Sequence, residues 1–124
     1  MGQRTCPQGQ CGEVAQKAID ELFGGASVLN KEVRCKTLTD ALKEIEENLI
    51  EKALIIIWVK TGFYDGNPLC FAYHTYIVYD AQPLSSFSIW KEGLQFYDEK
   101  DTEAAIEKST ERGNVITIHQ HIKV

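Results

Sequence analysis

Cys11 is the residue of this sequence with the strongest claim to chemistry. It follows Pro7-Gln8-Gly9-Gln10 and opens a stretch whose apolar residues, Val14, Ala15, Ala18, Ile19, Leu22 and Phe23, share one helical face until Gly24-Gly25. A cysteine at that point sits in the first turn of a helix, where unpaired amides and a partial positive charge stabilise a thiolate. The thiolate is the attacking form of cysteine. The same amides can also hold the oxyanion formed when an acyl carbon is attacked. The plain alternative is a buried cysteine serving as a small hydrophobe. The flanking glycine, glutamine and glutamate fit that less well.

A thiol nucleophile needs a base. His74 lies in a strand-like stretch, where alternation puts Cys70, Ala72, His74, Tyr76 and Val78 on one face. A lone strand histidine is more often structural, but a helix-start cysteine in the same short chain makes it the candidate base. A third group should orient the imidazole. Asp80 has the parity of His74, yet six strand residues span about 20 Å. If Tyr79 instead pairs near Gly93, His74 comes opposite Asp98, at the end of Leu94-Gln95-Phe96-Tyr97. The candidate catalytic set is therefore Cys11, His74 and Asp98, with Asp80 in reserve.

The positioning elements can be read in outline. After the first helix, residues 26–36 are ambiguous, with a short strand around Val33 to Cys35 the best reading. Thr37-Leu38-Thr39-Asp40 looks like a capping box, and Leu38, Leu42, Ile45 and Leu49 follow at helical spacing with Glu44, Glu46 and Glu47 on the wet side. Leu54 to Lys60 is β-branched and aromatic, a buried strand. Turn residues fill 62–68, and Cys70 to Tyr79 returns as an antiparallel partner. Ala81 to Ser88 reads as a loop or the start of a short helix, and Leu94 to Tyr97 as a third strand. Asp101 is expected to cap a helix through Ala104, Ala105 and Ile106 that Gly113 closes, before a final strand from Val115 to Val124.

Composition narrows the function classes. The chain has 124 residues, 44% hydrophobic and 25% charged, which suits one domain, 1–124, with its own core. A formal charge of −5 leaves no footprint for nucleic acid. The longest apolar run, Ala53 to Val59, is strand-sized, so no membrane association is expected. The N-terminus has no apolar signal segment. These features suit a cytoplasmic protein, or a fragment of a larger secreted effector. Four cysteines, at 6, 11, 35 and 70, need form no disulfide in a reducing compartment. Cys6, Cys11, His119 and His121 could be weighed as zinc ligands, but the usual two-residue cysteine loop is missing, so neither metal nor cofactor is expected.

Gly9-Gln10-Cys11-Gly12-Glu13-Val14-Ala15, running into Ala18-Ile19 and Leu22, resembles the opening of papain-fold bacterial toxin domains. It is also similar to the Gly-Gln-Cys opening of transglutaminase-like proteins. Tyr73-His74-Thr75 would match the histidine strand of these cysteine hydrolases, and Phe96-Tyr97-Asp98 the aspartate strand. The resemblance implies an α+β fold with N-terminal helices packed on a small antiparallel sheet around a papain-like core. It implies acyl transfer from a carboxamide or peptide, as a protease, a glutamine deamidase or a transglutaminase, and so a toxin effector role. The implied partners are a protein or peptide substrate and a cognate inhibitor protein. The competing class is a non-catalytic interaction domain, of immunity or adaptor type, using Tyr64, Tyr73, Tyr76, Tyr79 and Tyr97 as a sticky face.

Overall fold

The computed structural model describes residues 19–22, 24–25, 27–63, 71–90 and 93–123. Residues 19–22 are helical, and the turn closes at Gly24, whose φ of 67° places it in the left-handed region. Then come β1 (Ser27–Cys35), α1 (Leu38–Asn48), β2 (Ala53–Phe63), β3 (Phe71–Ala81), β4 (Leu84–Trp90), β5 (Gly93–Tyr97), α2 (Glu99–Glu111) and β6 (Ile116–Lys123). The strands form one sheet in the order β1-β6-β2-β3-β4-β5. Every neighbouring pair is antiparallel.

This corrects the expected architecture. The scaffold is a six-stranded antiparallel sheet, not a small sheet carried on N-terminal helices. Strand β1 separates the first helical segment from α1, and α2 enters between β5 and β6. The sequence reading missed β4 and found only the Val33 to Cys35 end of β1, for different physical reasons. β1 is an edge strand with most of its side chains exposed, so its apolar pattern is weak. β4, Leu84-Ser85-Ser86-Phe87-Ser88-Ile89-Trp90, looks like a loop because of its serines. Ser86 and Ser88 are nonetheless buried, and each hydroxyl has a hydrogen-bond partner.

The apolar run of β2 reflects cover on both faces of a central strand. Ile55, Ile57 and Val59 pack with Tyr76, Val78, Leu84, Ile116 and Ile118 beneath Ala41 and Ile45 of α1 and Ile106 of α2. Leu54 and Ile56 lie on the other face with Ile77 and Phe87, and Ile19 of the N-terminal helical segment joins them. Thr37 caps α1 as expected, its hydroxyl accepting from the Asp40 amide at 3.1 Å. The far end of α1 is tied to the sheet by polar groups: Gln120 donates to the Asn48 carbonyl and accepts from Asn30. No helix among the described residues is long and apolar enough to cross a membrane.

Candidate functional site

His74 sits in the middle of β3, opposite Val59 of β2, on the sheet face that carries α1 and α2. Its ring is half-buried and is held from several directions. Tyr76, on the same strand and face, meets it edge-on with ring centroids 4.6 Å apart, and Tyr97 of β5 does so at 6.3 Å. Ser88 of β4 places its Oγ 3.0 Å from His74 Nε2. Burial pushes the imidazole pKa below its ordinary 6.5, so the ring is neutral at pH 7. Burial, with Tyr97 as a second contribution, lifts the Tyr76 phenol to about 12, which keeps it protonated across the same range. The result is an oriented neutral imidazole, a form suited to accepting a proton.

Asp98 is placed differently from the sequence expectation. The register expected between Tyr79 and Gly93 does not occur, because β4 lies between β3 and β5. Tyr97 pairs with Ser86, and Ser86 with Val78, so Asp98 lies one step further towards the Asp80 end of the hairpin, away from His74. There it is the N-cap of α2, its carboxylate accepting from the Asp101 amide at 2.8 Å. Asp101, expected to be the cap, is the donor instead. The reserve candidate, Asp80, accepts from the Gln82 amide at 3.1 Å within the β3–β4 turn. Cys11 lies outside the described residues, as do Cys6, Cys70 and Tyr64.

Sequence reasoning missed Ser88. A signal was present: Leu84, Ser86 and Ser88 alternate with Ser85, Phe87 and Ile89, so the large apolar residues Phe87 and Ile89 recur at the period of a strand. Treating serine only as a loop former hid it. Close by, a concavity of ≈ 180 Å³ opens beside Tyr76, between Val59 and the last turns of α2 at Ala105, Lys108, Ser109 and Arg112.

The remaining candidates fall elsewhere. His119 and His121 share the opposite sheet face, as alternation requires, with ring centroids 6.1 Å apart. His119 Nε2 lies 3.2 Å from Glu32 Oε1, and its ring tilts against Trp58 at 5.8 Å. His121 is buried, and burial first, then the neighbouring His119, pushes its pKa down. Among the described residues no three histidine, cysteine, aspartate or glutamate side chains are grouped to hold a metal ion. Cys35 is a free thiol buried in the core, pushed above its usual pKa by that burial and secondarily by Glu44 and Asp40. The tyrosines divide: Tyr73 and Tyr79 are exposed, Tyr76 is buried and Tyr97 half-buried, so they form no single face. Comparison with protein families, with curated proteins and with solved structures gives no match to this chain.

Proposed function

We propose that this protein is a cysteine-dependent acyl-transfer enzyme, with Cys11 as nucleophile and His74 as base. The observation that carries the reading is the held imidazole of His74, neutral and oriented by Ser88 at 3.0 Å. The Gly9-Gln10-Cys11 opening, with its likeness to cysteine hydrolases, supplies the nucleophile from sequence. The Cys11 thiolate attacks the carbonyl carbon of a carboxamide or peptide bond, and His74 takes the thiol proton. The carbon–nitrogen bond breaks as that proton passes to the leaving nitrogen, leaving a thioester on Cys11. Water then attacks the thioester, releasing the acid and restoring the thiol. Release of ammonia makes the reaction a deamidation and release of a peptide amine makes it proteolysis. An amine attacking in place of water makes it a transglutamination.

The experiment is a turnover assay on glutamine-containing proteins and peptides, following ammonia and new amino termini separately. Wild type is expected to release one of them. Cys11→Ala is expected to abolish release, and His74→Ala to lower kcat by about 10²–10⁴-fold. Undiminished release by Cys11→Ala overturns the reading.

One observation favours a second reading, a partner-binding domain without catalysis. Tyr79 and Phe96 pack ring against ring at 6.2 Å on the sheet face away from α1 and α2, yet they remain 51% and 63% exposed. Under that reading Cys11→Ala leaves partner binding unchanged, and Phe96→Ala weakens it.

A further inference from the structure

β1 ends the sheet. Among the described residues one long side of it pairs with β6, and no strand lies along the other. The amides and carbonyls that point outwards from an edge strand are a template for a further strand. From Lys31 to Cys35 the pairing with Gln120 to Ile116 runs unbroken, whereas the register shifts between Leu29 and Lys31. The Lys31–Cys35 half of β1 is thus regular ladder, open on its outer side.

Charge decides which strand fits there. Val33 and Cys35 turn to the helix-covered face and pack with the core beneath α1. Glu32 and Arg34 alternate with them on the other face, and both are exposed. Glu32 reaches His119 at 3.2 Å, and a carboxylate has lone pairs for further donors. Arg34 has no carboxylate partner among the described residues. An acid and a base two residues apart on one face match a strand that carries the same pair in reverse order. β1 running antiparallel to itself is such a strand.

We propose that this protein self-associates through β1: two copies pair β1 against β1 about a two-fold axis at Val33, joining their sheets into one. A two-fold axis normal to the sheet keeps every side chain on its own face, so it falls at one residue and its copy. Centred on Glu32, it would set that carboxylate against its own copy. Centred on Arg34, it would oppose two guanidinium groups. Centred on Val33, it sets Glu32 opposite the partner's Arg34 and Arg34 opposite the partner's Glu32, with valine against valine on the axis. Opposite charges facing across strands stabilise pairing and like charges oppose it, so one register is selected. Lys31 lies on the helix face, donating to Asn48 Oδ1 at 3.3 Å, and comes opposite the partner's uncharged Cys35. Charges on an edge strand ordinarily repel neighbours. Here they repel every register but one. So short a ladder makes a small contact, which suits a transient dimer.

The test is the solution mass of the full chain by light scattering, from about 1 μM to about 1 mM, with amide hydrogen exchange at both ends of the series. Wild type is expected to rise from the mass of one chain towards that of two, with slowed exchange within 31–35 at high concentration, and to fall back as salt is raised. Glu32→Arg and Arg34→Glu, which each place like charges face to face, are expected to weaken self-association about 100-fold. Mixed in equal amounts, the two variants are expected to pair with each other, because Arg then faces Glu at both positions. The double variant Glu32→Arg/Arg34→Glu is expected to recover the dimer. A wild-type mass that stays at one chain throughout overturns the proposal, whether or not the variants fold. So does a dimer whose amides in 31–35 gain no protection, or one that both single variants leave intact, since its interface then lies elsewhere.

Discussion

A strand histidine beside a hydroxyl differs from one beside a carboxylate, because the hydroxyl orients the ring without stabilising its charge. His74 combines that partner with burial, and the burial favours the neutral base. His121, on the opposite face, is held neutral by burial and by His119. The consequence for stability has a definite sign. A folded histidine with a lowered pKa takes up its proton later than the unfolded chain does. Between the ordinary 6.5 and the lower folded value, the unfolded state binds more protons, so stability is lost as the pH falls through that window. Melting temperatures measured from pH 7.5 down to 5 are expected to fall, and to fall less steeply in His121→Gln. An identical slope in the two proteins would contradict buried neutrality. At this scale, His74 was legible from strand parity and residue type. Ser88 was not, because a serine in a strand becomes informative only when the atoms it touches are known.

Helix caps and strand pairing decide where the acidic candidates end up. Thr37 could be placed from sequence because a cap motif is local, spanning three residues and one hydrogen bond. Asp98 could not, since its role depended on whether β3 pairs with β4 or β5. The tight β3–β4 connection through Gln82 and Pro83 makes β4 the neighbour of β3, and β5 then meets β4 alone. Asp98 falls at the junction of β5 and α2, where four helix amides need acceptors. Asp98→Ala is accordingly expected to cost about 1 kcal/mol in chemical denaturation and to leave acyl transfer within twofold of wild type. A loss of activity on the scale of His74→Ala, with the fold intact, would return Asp98 to the catalytic set.

Across the whole molecule, the central strand β2 joins two apolar layers, one beneath α1 and α2 and one against Ile19. The sequence announced this strand clearly, since Leu54 to Val59 is apolar without alternation. It did not announce the width of the sheet, because edge strands need only half the apolar pattern and serine-rich strands hide theirs. Ile57 is completely buried between β6 and β3. Ile57→Ala is expected to destabilise the protein by about 2–5 kcal/mol in urea unfolding. Val28→Ala, at an exposed position on β1, is expected to stay within about 0.5 kcal/mol of wild type. Equal losses at both positions would place the core elsewhere.

The account depends most on Cys11 being an accessible, acidified thiol that His74 can deprotonate, and the pH dependence of alkylation at each cysteine, mapped by peptide mass, measures this directly. Cys35, buried and with its pKa raised, is the internal reference. Cys11 is expected to react fastest and to titrate clearly below the ~8.5 of a free thiol. A Cys11 that reacts no faster than Cys35, or that titrates at or above the free-thiol value, contradicts the enzyme.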